Sequence, residues 1–133
     1  MSIHEIIDAH PAPAILDREL LTRCVERCLE CSASCTGCAD ASLAENDVAE
    51  MRRCIRLCLD CADVCAATAR AVGRQTEPDL RAIRAVVEAC ATACGASGDE
   101  CERHAMHHEH CRVCAETCRR CEQVCRDVVA ALG

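Results

Sequence analysis

Residues 24–38 read CVERCLECSASCTGC, so thiols at Cys24, Cys28, Cys31, Cys35 and Cys38 step 4-3-4-3 along the chain. A step of four plus a step of three is a heptad, which returns side chains to one stripe of an α-helix. The rhythm recurs three times. Cys54, Cys58, Cys61 and Cys65 step 4-3-4, and Cys111, Cys114, Cys118, Cys121 and Cys125 step 3-4-3-4. Cys90, Cys94 and Cys101 step 4-7, skipping the place held by Ser97. These four sets hold all 17 cysteines of the 133-residue chain.

Working outward from the stripes, Asp17 is a candidate N-cap for a first helix over 17–41. Ser42 to Asn46 breaks it. Asn46 or Asp47 caps a second, which runs to about Val72 and ends at Gly73 in the manner of a C-terminal glycine. Glu77-Pro78-Asp79 opens a third, with Pro78 where its missing N–H costs nothing. It runs to about His104, and Gly95 with Gly98 allows a kink or break inside it. Ala105 to His108 turns the chain into a fourth helix over 108–131. No segment alternates with the two-residue period of a strand. The expected fold is all-α: an antiparallel up-down-up-down four-helix bundle with a short N-terminal arm. Residues 1–16 form that arm, with a brief helix before His10, and 17–133 form a single domain.

Continuing the heptads tells what each end of such a bundle contains. One end receives Leu21, Val72, Val87 with Ile83 and Leu80, and Val128 with Leu132, an apolar plug. The other receives Met51, His104 and His107, with Met106, His108 and His110 beside them. His104 and His107 stand on the seam by register, and His108 and His110 read equally as solvated turn residues. Met51 reads as core filling or a thioether ligand. Val25, Leu29, Ile55 and Leu59 lie off the seam and either widen the core face or meet another subunit.

Composition narrows the function. Phe, Tyr and Trp are absent, so small side chains must do the packing, and the formal charge of −7 argues against nucleic acid or an anionic membrane as partner. The N-terminus lacks a basic, apolar leader, and no stretch approaches the ~20 apolar residues of a membrane span. The expectation is a cytoplasmic chain whose thiols stay reduced. Disulfides between neighbours on one helix would close loops too short to stabilise much, and an odd cysteine count leaves pairing incomplete.

The thiols themselves point to a soft metal. Pairs four apart, such as Cys24/Cys28, Cys31/Cys35, Cys54/Cys58, Cys61/Cys65, Cys90/Cys94, Cys114/Cys118 and Cys121/Cys125, place Cβ atoms about 5–6 Å apart, close enough to clamp one ion. Cu(I) prefers thiolate and thioether donors. Charge favours it too, because buried thiolates must be neutralised. A Cys₄ zinc site keeps two negative charges per ion, whereas about one Cu(I) per thiolate leaves the core near neutral. The CxxxCxxC spacing occurs four times, as CVERCLEC, CSASCTGC, CIRLCLDC and CAETCRRC. A radical-type iron–sulfur loop needs one copy, on a larger barrel, and the ferredoxin run CxxCxxC is missing.

Helical CxxxC/CxxC ladders over 17–131, a His- and Met-bearing end and the lack of a leader resemble the cytosolic copper-storage proteins. The resemblance implies storage of many Cu(I) ions per chain on the cysteines named above, passage of copper through the histidine-bearing end, and a homotetramer. The skipped thiol at Ser97 and Gly98 departs from the pattern and shifts coordination there towards Cys101 and His104. No catalytic set is evident, so the expected role is non-enzymatic copper storage, buffering or detoxification. The alternative is a zinc-binding structural or regulatory module, with about four tetrahedral ions per chain. Copper donor and acceptor proteins are not legible.

Overall fold

The computed structural model describes residues 2–133, which form helices and connecting turns and, among the described residues, no strand. The elements are α1 (Ile3–Asp8), α2 (Arg18–Leu43), a 3-10 turn at Val48–Met51, α3 (Arg52–Gly73), α4 (Leu80–His104) and α5 (Glu109–Leu132). Two of the long helices, α2 and α4, start at side-chain caps. The Asp17 carboxylate accepts from the Leu20 amide at 3.2 Å. That of Asp79 accepts from Arg81 and Ala82 at 2.9 and 3.2 Å. Such caps contribute about 1 kcal/mol each. Helix α2 packs on α3 and α5, and α4 packs on the same two.

Several local expectations change. Asp47 precedes the 3-10 turn but makes no capping bond; its carboxylate meets His108 Nε2 at 3.1 Å instead. Gly73 is the last helical residue and is not left-handed, because Arg74 leaves the helix in extended conformation. The left-handed residue in this connection is Glu77, at φ 46°. Helix α4 runs unbroken through Gly95 and Gly98. These glycines instead make room for α5: a Cβ on Gly98 would lie 3.1 Å from the Arg119 guanidinium, and one on Gly95 3.1 Å from the Glu122 carboxylate. Arg119 lies across α4, paired with Asp99, with Glu102 at 2.9 Å and with Glu122 at 3.1 Å.

Leu21, Val72, Val87 and Val128 are buried, as is Ile83, while Leu80 is exposed at the first turn of α4 and takes no part in the plug. Burying a Leu or Val contributes about 1.5–3 kcal/mol, so this end anchors a core otherwise made of small thiols. The N-terminal segment is tied to the same end. Ile7 and Leu16 are buried. Arg18 donates to the carbonyls of Asp8, His10 and Ala12 at 2.9–3.3 Å, and Gln75 donates to that of Ile7 at 3.2 Å. No helix among the described residues is long and apolar enough to cross a membrane.

Candidate metal centre

All 17 cysteines are free and buried, and their sulfurs form a column along the helices. Cys24 and Cys125 stand at the plug end. By register Thr68, three beyond Cys65, and Val87, three before Cys90, share this level; both are fully buried. Next come Cys28, Cys121, Cys65 and Cys90: Cys28 lies 3.8 Å from Cys121 and 3.9 Å from Cys90, and Cys65 lies 3.7 Å from Cys90. Below them Cys31 meets Cys61, Cys94 and Cys118 at 3.8–4.0 Å. Cys35, Cys114 and Cys58 then share a level with Ser97; Cys35 is 3.6 Å from Cys114. Cys38, Cys54, Cys101 and Cys111 come last, with Cys101 3.8 Å from Cys54 and Cys38 3.9 Å from Cys111.

Sulfur sets converge tightly enough for metal. Cys28/Cys90/Cys121/Cys125, Cys31/Cys65/Cys94/Cys121, Cys31/Cys35/Cys61/Cys118 and Cys38/Cys54/Cys58/Cys101 each lie within 4.8 Å of one another. A metal–thiolate bond of about 2.3 Å puts two sulfurs across one ion about 4.6 Å apart. Cys31 and Cys121 each belong to two of these sets. Shared sulfurs suit bridging thiolates in a multi-ion array better than isolated tetrahedral sites.

Hydrogen bonds spread the protons unevenly. The Cys54 thiol is drawn down to about 4, led by its bond with Cys101, and Cys24 to about 5, led by Cys125. Cys58 is also lowered, led by Cys101. Cys35 and Cys101 are pushed up, each led by its bond with Cys114. Thiols that keep their protons thus stabilise neighbours that lose them, and the thiolate is the form that ligates metal.

At the mouth the histidines separate. His110 faces the column, its Nδ1 3.3 Å from Cys38 Sγ and 3.6 Å from Cys111 Sγ, while its Nε2 meets Glu45 at 3.2 Å. His108 stacks on His110 with ring centroids 5.5 Å apart and pairs with Glu45 and Asp47. Asp47 holds His108 protonated above the usual histidine range, and His108 holds the Asp47 carboxyl below its own. His104 is partly buried and turned to Glu100, 3.0 Å away. His107 is exposed and not brought to the sulfurs, because its place seven before Cys114 falls ahead of α5, which begins only at Glu109. Met51 is fully buried, and Met106 is almost fully exposed.

Sequence reasoning missed four groups here. Glu100 is buried and gathers Arg53, Arg103 and His104; its place one before Cys101 was the available signal. Glu45 joins His108 and His110, and only a fold brings them together. Buried Ser42, four beyond Cys38, extends the α2 stripe and donates to the Cys38 carbonyl at 2.8 Å. Thr68, which donates to the Val64 carbonyl at 2.7 Å, was legible as the next 4-3 step of α3.

Fold and site together define a helical protein with a thiol-lined core. A family model described as copper storage protein matches residues 17–130, and the chain belongs to that family. It is similar to the copper storage protein Ccsp from Streptomyces lividans, in a structure loaded with 10 copper equivalents. Identity is 52%, with a TM-score of 0.95, over 98% of this chain and 99% of that one. A second structure, of a cytosolic copper storage protein from Streptomyces lividans with five coppers, is 57% identical with a TM-score of 0.85, covering 86% of this chain and 96% of that one. An uncharacterized cysteine-rich protein of Bacillus subtilis (strain 168), YhjQ, is 35% identical over 107 residues, 80% of this chain and 94% of its own length.

Proposed function

We propose that this chain is a non-enzymatic cytoplasmic store that holds many Cu(I) ions on its inward thiolates. The observation that carries the reading is the sharing of Cys31 and Cys121 between sulfur sets, which favours bridged Cu(I) over separate zinc sites. The ligands are Cys24, Cys28, Cys31, Cys35, Cys38, Cys54, Cys58, Cys61, Cys65, Cys90, Cys94, Cys101, Cys111, Cys114, Cys118, Cys121 and Cys125. At the mouth His110 has the strongest claim, by its distances to Cys38 and Cys111. His108 and His104 stand behind carboxylates, and His107 has the weakest claim. Supporting the cargo and the compartment are the family match and the copper-loaded and cytosolic descriptions of the Streptomyces relatives.

The helix pairings and the sulfur levels support an antiparallel up-down-up-down bundle over 17–133, with the described part of the N-terminal arm, residues 2–16, across its plug end. Exposed Leu29, Leu59 and Val113 supply apolar surface for a homotetramer. Uptake exchanges thiol protons for soft cations, so the loaded core stays near neutral while the donor set stays buried. The test is anaerobic titration of the reduced protein with Cu(I) against a chromophoric competitor, repeated with Zn²⁺. Copper saturation near the cysteine count supports storage. Saturation at a few copper ions, with about four zinc ions bound more tightly, would support the zinc module instead.

A further inference from the structure

Ser97 occupies the one place in α4 between Cys90 and Cys101 where the 4-3-4 step calls for a thiol. It is fully buried, and its hydroxyl is wired to sulfur on three sides. It accepts from Cys118 at 3.5 Å, donates to Cys58 at 3.6 Å, and lies 3.7 Å from Cys35. On the plug side, sulfur–sulfur contacts run without a break from Cys28 through Cys121, Cys65, Cys94 and Cys31 to Cys35 and Cys118. On the mouth side Cys101 joins Cys58 at 3.6 Å and Cys54 at 3.8 Å. The Ser97 hydroxyl joins the two sets, beside Cys114, which bonds Cys35 on one side and Cys101 on the other.

We propose that Ser97 divides the copper store into two compartments. The outer one, around Cys38, Cys54, Cys58, Cys101 and Cys111, exchanges copper quickly with the mouth; the inner one retains it. The inference rests on the copper-storage reading. Cu(I) moves by trading one soft donor for the next, and a neutral hydroxyl is a hard, poor donor for it. Along α4 the sulfurs of Cys94 and Cys101 are separated by seven residues, about 10.5 Å of helix rise. The path past this level narrows to Cys35, Cys58 and Cys114. Losing one ligand from the level slows crossing, and release from the two sides separates by about tenfold or more in rate.

The test is copper release from fully loaded protein into excess chromophoric Cu(I) chelator under anaerobic conditions. The native chain should empty in two phases. Alkylation and mass spectrometry after the fast phase should find Cys54, Cys58 and Cys101 labelled and Cys65 and Cys94 protected. Ser97→Cys restores the missing donor and should merge the phases. Ser97→Ala supplies no sulfur and should keep them apart. Circular dichroism checks that both variants retain native helix. A single phase in the native chain, equal labelling of Cys65 and Cys54, or two unchanged phases in Ser97→Cys would overturn the partition while leaving storage intact. A chain that takes up no copper overturns both.

Discussion

The two ends of the sulfur column differ in every chemical respect. At one end Leu21, Val72, Val87 and Val128 close it with hydrocarbon, and the N-terminal segment is strapped across by Arg18 and Gln75. At the other, imidazoles and carboxylates stand where the thiols stop, with His110 against Cys38 and Cys111. The same heptad runs into both. The contrast teaches that a uniform thiol column acquires direction from the few residues that cap it. One end holds the helices together; the other deals with ions.

The largest expected effect belongs to the plug. Leu21→Ala removes a fully buried side chain and should cost about 2–5 kcal/mol in urea unfolding of the metal-free protein. Its copper capacity should stay native; an equal loss of capacity would erase the distinction between the ends. Cys31→Ala works on the middle of the column. It deletes a sulfur shared by two sets, so saturation should fall by about one ion, in line with about one Cu(I) per thiolate, as counted by native mass spectrometry. His110→Ala should act on the mouth alone, slowing the first copper taken up in stopped-flow measurements while leaving the final count unchanged.

The smallest effect concerns the clasp between His108 and Asp47. The His108 value is raised, so its contribution is complete below the unfolded histidine value and is lost as pH climbs through the folded one. The Asp47 value is lowered, so its share is present above the unfolded value and is lost as pH falls through the folded one. Thermal melts of the metal-free native chain and Asp47→Asn should therefore differ most at about pH 5–6 and converge at either extreme. A difference that kept growing above neutrality would contradict the pairing.

Much of this was legible in the sequence because a heptad is a geometric statement. The 4-3 steps placed all 17 thiols inside, and Asp17 marked where α2 begins; Pro78, read into the first turn of the third helix, instead precedes its Asp79 cap. Reading failed where the period stopped carrying information. His107 was extrapolated back from Cys114 past the start of α5 at Glu109, and Leu80 back to the first residue of α4, whose side chain faces solvent. Gly95 and Gly98 suggested a weak helix, but their reason lies on another element, in the Arg119 and Glu122 side chains that cross them. Glu45 and His110 are far apart in sequence and meet only once the helices are paired. Ser97 was visible as a gap; its bonds to Cys58, Cys118 and Cys35 were not.

The central claim is that the thiol column itself is the copper store, closed at the plug and open at the mouth. The most direct measurement is a crystal structure of the Cu(I)-loaded protein with anomalous scattering recorded at the copper edge. Copper peaks confined between the Cys24/Cys125 level and His110, bridging the sulfurs of neighbouring helices, are the predicted result. Copper on surface carboxylates and histidines, with the column sulfurs still in thiol contact, would contradict it.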